Sequence, residues 1–174
     1  DLTDPAQLQD AVQTCIASSP SIDLVIYNAG LTQVGPFADL DDTAHRKLFE
    51  VNYFAAVAMA RGFLGAVRQS GGTHLAISSV AGFSPLYHRT AYAASKHALE
   101  GFFGSLRSEE AVHGVRCLIA APSFVATNIG NDQRSSDGLS RPGSASDGLD
   151  YMSPQDAAAV ILRGVARGRP MIPV

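Results

Sequence analysis

Apolar residues in this chain gather in short runs separated by longer stretches of helical period. Ile22 to Tyr27, His74 to Ser78 and Val115 to Ala121 have strand length and little alternation of polar with apolar side chains. Such runs suit strands covered on both faces. Thr3-Asp4-Pro5 reads as a helix start, with Thr3 or Asp4 capping and Pro5 in the first turn. That helix is predicted to reach about Ala17, before Ser18-Ser19-Pro20. Gly35-Pro36 marks a loop, and Asp41 or Asp42 can cap a long helix running to about Gln69 and broken by Gly71-Gly72. A further helix spans Thr90 to His113 and stops at Gly114. Ser153-Pro154 opens a last helix to about Arg167, followed by a short strand at Met171–Val174. Residues 128–150, rich in Ser, Gly and Asp, read as a mobile loop.

Helix and strand thus alternate four times, which predicts an α/β fold with a parallel sheet and helices on both faces. In such sheets ligands bind beyond the carboxyl ends of the strands. Asn28, Ser79 and the segment Pro122–Thr127 each lie just past the end of a predicted strand, so polar groups converge on that edge.

The 174 residues have room for one domain around a single core. A net charge of −3 provides no basic field for a nucleic-acid partner. The longest apolar stretch, near residues 54–60, is closed by Arg61 and is far short of a membrane span. Cys15 and Cys117 read as buried small hydrophobes, which fits a reducing cytoplasmic setting. The five histidines show no metal-binding spacing.

The chemistry concentrates at Tyr92-Ala93-Ala94-Ser95-Lys96. A phenol and an ammonium four residues apart share one helix face. The positive charge favours the phenolate, bringing a group of pKa about 10 toward useful acid–base chemistry. Ser79, at the end of an apolar run, is placed to hydrogen-bond the same reacting oxygen. Strand alternation sends Ser78 and Ser79 to opposite sides, so one of them faces the cleft.

Taken in order, Asn28-Ala29-Gly30, Asn52, Ile77-Ser78-Ser79, Tyr92-x-x-x-Lys96 and Pro122-x-x-Val125-x-Thr127 resemble the short-chain dehydrogenase/reductase family. The resemblance runs from Asp1 to about Thr127 and more weakly beyond. It implies a doubly wound, Rossmann-like sheet and an NAD- or NADP-dependent oxidoreductase that interconverts a secondary alcohol with a ketone or aldehyde. It also implies a catalytic set of Asn52, Ser79, Tyr92 and Lys96, with Tyr92 as proton donor and Asn52 holding a water in a relay to Lys96. The thirteen-residue gap to Tyr92 matches the family when counted from Ser79 rather than Ser78.

Asp1, Asn28, Ala29, Gly30, Tyr92, Lys96, Pro122, Val125 and Thr127 would contact the cofactor, Asp1 against the adenine and Lys96 on the ribose hydroxyls. Ser79, Tyr92 and His88 would contact the substrate, and residues 128–150 would close over it. The helices at about 42–69 and 90–113 correspond to those that pair subunits, with Ala55, Ala56 and Ala58 permitting close packing, so a homodimer or homotetramer is expected. Pro122-Ser123 departs from the family's usual Pro-Gly.

The family's opening strand and Gly-x-x-x-Gly-x-Gly turn have no counterpart in residues 1–174, so a single partial domain lacking the amino-terminal strands is expected. That deficit keeps a second reading open, a non-catalytic scaffold of the same fold. A lyase or epimerase using the same Tyr and Lys is a third.

Overall fold

A computed structural model describes residues 1–126 and 151–174. Among these, β1 (Leu24–Tyr27), β2 (Thr73–Ile77), β3 (Arg116–Ala121) and β4 (Met171–Pro173) form one parallel sheet in the order β1-β2-β3-β4. The helices are α1 (Pro5–Ser18), α2 (Asp42–Phe49), α3 (Ala55–Ser70), α4 (Thr90–Glu110) and α5 (Pro154–Ala166). Three of them start on side-chain caps that satisfy otherwise unpaired amides. Asp4 accepts from Ala6 N and Gln7 N, Asp41 from Ala44 N, and Ser153 from Asp156 N. The anticipated loop at 128–150 and Thr127 lie outside the described residues.

The sheet has a core on each side. Val25 and Tyr27 of β1, Ala76 of β2, and Cys117 and Ile119 of β3 pack against Ala56, Phe63 and Val67 of α3 and Leu99 and Phe103 of α4. Leu75, Leu118, Ala120 and Ile172 form the opposite core, under Val160, Ile161 and Val165 of α5. Period-two side-chain alternation makes this division inevitable for a strand buried on both faces.

Four expectations change here. β1, at the edge of the sheet, is not covered on both faces: Leu24 and Ile26 are 37% and 46% exposed, because the apolar face of α5 covers β2, β3 and β4 but not β1. The long helix expected from Asp41 or Asp42 to Gln69 is divided: a π-helical turn, Glu50–Phe54, separates α2 from α3 and carries Asn52. Ala55 and Ala56 are buried within this chain, which leaves Ala58 as the exposed member of the trio proposed for subunit packing. Cys117 is buried as expected, but Cys15 is exposed because the apolar face of α1 is set by Leu8 and Val12. No helix among the described residues is long and apolar enough to cross a membrane.

Arg68 at the end of α3 grips the buried Glu110 with two hydrogen bonds, from Nε at 2.7 Å and from Nη2 at 2.6 Å. A second polar element lies between the helices and the sheet. Tyr27 Oη and His74 Nδ1 are 2.6 Å apart, and the phenol ring packs on Phe103 at 4.7 Å. His74 Nε2 is buried with no hydrogen-bond partner among the described residues. Burial holds His74 down to about 4 from its ordinary 6.5, against a small upward pull from Glu110.

The folded protein therefore binds this proton less readily than the unfolded chain does. The stabilisation is complete above the unfolded value of 6.5, declines as pH falls, and is gone below about 4. We expect this site to remove up to about 3 kcal/mol of stability across that window. Urea unfolding followed across the same range should show a shallower pH dependence in His74→Gln; parallel curves for the two proteins would place the dependence elsewhere.

Candidate active site

β2 ends at Ile77 and the chain leaves it through Ser78 and Ser79 into a short 3-10 turn, Val80–Gly82. Ser79 caps that turn, its Oγ accepting from Ala81 N at 3.2 Å. The Val80 amide donates to Pro122 O at 2.9 Å, which ties the ends of β2 and β3 together. The two serine hydroxyls diverge as alternation requires. Ser78 Oγ donates to Glu100 Oε1 at 2.6 Å, while the Ser79 hydroxyl acts on the Tyr92 phenol, favouring its ionised form. Both serines nevertheless contribute to the cleft wall.

Tyr92 and Lys96 project from α4 toward these turns, and both are buried. Lys96 Nζ lies 5.9 Å from the centre of the Tyr92 ring and donates to Ile77 O at 2.9 Å. Burial pushes the Tyr92 phenol up, and the groups that pull it back are the Ser79 hydroxyl and the Arg89 guanidinium. Arg89 sits 6.0 Å from the same ring and is braced by Thr32 Oγ1 at 2.7 Å. The phenol is therefore not made acidic by Lys96 in the simple manner that helical spacing implied. That ammonium is directed to the Ile77 carbonyl, and burial brings it down to about 8.

Asn52 is 2% exposed and uses its amide as a three-way tie. Its Oδ1 accepts from Leu31 N at 2.8 Å; its Nδ2 donates to Leu31 O and to Ser95 Oγ, each at 2.9 Å. The pair of bonds to Leu31 mimics a strand pairing and fixes the loop after β1. The bond to Ser95 reaches the residue preceding Lys96. Gly30 lies within this arrangement, where a Cβ would stand 3.3 Å from Asn52 Oδ1 and 3.6 Å from Lys96 Nζ. A π-helical turn of this kind re-aims one side chain without ending the helix, and such turns recur at functional sites.

Ser79, Tyr92 and Lys96 line one cleft of about 510 Å³ at the carboxyl ends of β1, β2 and β3, whereas the predicted catalytic Asn52 is not part of its wall and lines a neighbouring hollow with Asn28 and Ala29. Asn28, Ala29 and Gly30 form one side, Ser79, Tyr92 and Lys96 the middle, and Pro122, Ser123 and Val125 the other. Its size falls within the range of small-ligand sites. Val125 is held by a parallel bridge to Met152.

Two predicted contacts are not brought to this cleft. Asp1 is exposed, with its carboxylate accepting from Thr3 N and Thr3 Oγ1. His88 adopts a left-handed backbone at φ 57° and stacks on Tyr87 at 3.7 Å rather than lining the cleft. Other contributors escaped the sequence reading. Pro154, Ala157, Ala158 and Ile161 of α5 complete the wall, and Ser95 and Arg89 support Asn52 and Tyr92. The spacing of Ala157, Ala158 and Ile161 on one helix face was a usable signal; Ser95 had none apart from its place beside Lys96.

The family model described as short chain dehydrogenase matches residues 1–138. Dehydrogenase/reductase SDR family member 7B of Rattus norvegicus is 34% identical over 161 residues, covering 92% of this chain and 48% of that protein. The chain spans about half the length of the curated relatives it matches. A short-chain dehydrogenase from Streptomyces avermitilis superposes with a TM-score of 0.84 at 26% identity, covering all of this chain and 68% of that one. An alcohol dehydrogenase from Thermococcus sibiricus, complexed with 5-hydroxy-NADP, gives 0.85 at 20% identity, over all of this chain and 71% of that one. This second likeness is one of fold.

The Asn52 tie yields a measurable expectation. Asn52→Ala leaves the Leu31 amide and carbonyl without their partner and should cost about 2–3 kcal/mol in chemical denaturation. Hydrogen exchange at the Leu31 amide should accelerate more than at the helix amides of α4. Equal acceleration at both would mean that Asn52 supports the fold generally and not this loop.

Proposed function

Because the chain belongs to the short-chain dehydrogenase/reductase family, we propose that it carries the catalytic part of an NAD(P)-dependent oxidoreductase acting on a secondary alcohol or the corresponding ketone or aldehyde. The observation that carries this reading is the convergence of Ser79, Tyr92 and Lys96 on one cleft beyond the carboxyl ends of parallel strands. A structural tyrosine or a solvated lysine would not need a buried hydroxyl from another element beside it.

The residues present fit the nicotinamide end of such a cofactor. The backbone at Gly30 passes close to Lys96 Nζ where a side chain would intrude. An ammonium has three donors, and Ile77 O engages one of them, leaving two for ribose hydroxyls. NAD or NADP, when bound, supplies or receives the hydride.

The protein's own contribution is proton transfer and orientation. Tyr92 gives its hydroxyl proton to the substrate oxygen as the carbon is reduced, and takes one back in the reverse direction. Ser79 hydrogen-bonds that same oxygen and stabilises negative charge developing on it. Lys96 lies one helical turn from the phenolate so formed and holds it by charge once its ammonium turns from Ile77 O toward the ring. Asn52 keeps Leu31 and Ser95 in place beneath them, and its service in a water-bearing relay to Lys96 belongs to this proposal. Val125 and Pro122 bound the nicotinamide side.

A small carbonyl or alcohol substrate is expected, in a reducing cytoplasmic setting supported by two cysteines that are not joined. Pairing of two or four copies through α2, α3 and α4 is part of the same reading. It is supported by Phe54, 50% exposed beside an open hollow formed with His45, Arg46 and Phe49.

The test is Tyr92→Phe in the complete gene product, screened with ketones and either reduced nicotinamide cofactor. Turnover should fall about a hundredfold or more, while cofactor affinity, read from nucleotide fluorescence, stays close to that of the wild type. Undiminished turnover would overturn the assignment. A wild-type protein that leaves the fluorescence of both cofactors unchanged would favour a scaffold of this fold instead.

A further inference from the structure

Glu100 stands one helical turn beyond Lys96 on α4, in the 92, 96, 100 series that shares a helix face. Its Oε1 accepts a 2.6 Å hydrogen bond from Ser78 Oγ, so the carboxylate reaches across from the helix to the residue beside Ser79. The backbone opens to receive it. A Cβ at Gly82 would collide with the Glu100 carboxylate and lie 2.6 Å from Ser78 Oγ. Gly82 closes the 3-10 turn that Ser79 caps, its amide donating to Ser79 O at 2.9 Å. The carboxylate is therefore seated against the same turn that presents the cleft hydroxyl.

Its second effect is electrostatic. Burial pushes the Lys96 ammonium down to about 8, and Glu100 is the charge that pulls it back up. The other groups beside that ammonium are the Tyr92 ring on the same helix, the Ile77 carbonyl from β2 and the backbone at Gly30. None of them is an anion at neutral pH. Among the described residues, Glu100 is the anion acting on Lys96.

We propose that Glu100 is a positioning residue of this site: it clasps Ser78 over the notch at Gly82, which sets the turn carrying Ser79, and its carboxylate, one helical turn along α4, offsets part of the cost of burying the Lys96 ammonium. The catalytic meaning of this rests on the role proposed above for Lys96. The test requires neither cofactor nor substrate, so the two readings fail separately.

Residues 1–174 hold two lysines, Lys47 and Lys96, and carbon-13 labelling at the lysine ε-carbon of the complete gene product yields one resonance for each lysine. Lys96→Arg and Lys47→Arg each remove one resonance and so identify the two, and Lys47 on α2 serves as the internal reference. Glu100→Gln retains an acceptor for Ser78 but removes the charge; it should lower the Lys96 titration midpoint by about half a pH unit or more. Gly82→Ala retains the carboxylate but displaces it, and should shift the midpoint in the same direction. A midpoint unchanged in either variant overturns the proposal. Loss of the folded circular dichroism spectrum in both also overturns it, since the clasp would then be a requirement of folding alone.

Discussion

Lys96 places an ammonium where only 4% of the residue meets solvent, and among the described residues a single hydrogen bond, to the Ile77 carbonyl, holds it there. A buried charge is costly unless partners compensate. Much of the local architecture follows from that constraint. Ile77 is the last residue of β2, so the strand must end where the helix delivers its cation. The backbone of Gly30 must pass without a side chain, and a carboxylate one turn along α4 must remain seated against the turn after β2. Each requirement falls on a different element, and together they fix how α4 lies across the carboxyl ends of β1 and β2.

The π-helical turn at Glu50–Phe54 answers a related demand. A continuous helix from Asp42 to Ser70 would have to present Asn52 to the Leu31 backbone and Ser95 while burying Phe63 and Val67 against the sheet. One extra residue in a turn shifts the phase between the two halves, so Leu48 and Asn52 serve the site and the later apolar residues serve the core. Asparagine is a poor helix former because its side chain competes for backbone groups. Here that competition is used on another segment, since the amide satisfies both polar groups of Leu31.

Much of this was legible in the residues. The caps at Asp4, Asp41 and Ser153, the apolar runs and the order of elements follow from short-range physics, and the described strands and helices occur where those signals lie. The meeting of Asn28, Ser79, Tyr92, Lys96 and Pro122 was legible as well, because a parallel sheet brings strand ends to one edge. What could not be read depends on angle and neighbour. Helical periodicity averages over a single inserted residue, so the π-helical turn leaves no mark in it. Apolar content does not tell which face of a strand a later helix will cover, so Leu24 and Ile26 read as buried. His88 and Asp1 were assigned through resemblance alone, and their contacts are set by a left-handed backbone and by Thr3. Glu100 and Ser78 are 22 residues apart, and nothing local links them.

In the reaction proposed for this cleft, the state of Tyr92 bears on direction. Burial raises the phenol despite the opposing pull of Ser79 and Arg89, so at neutral pH it holds its proton. A donor needs that state until the moment of transfer, whereas a base needs the phenolate. The same low-dielectric surroundings strengthen any charge brought close to the ring. In this geometry the Lys96 ammonium is turned to Ile77 O, 5.9 Å from the ring centre, and does not contribute to lowering the phenol. A modest reorientation of one long, flexible side chain would change that balance. The acid and base forms of Tyr92 are thus separated by where Lys96 directs its charge, and the groups that anchor Lys96 decide which form the site favours.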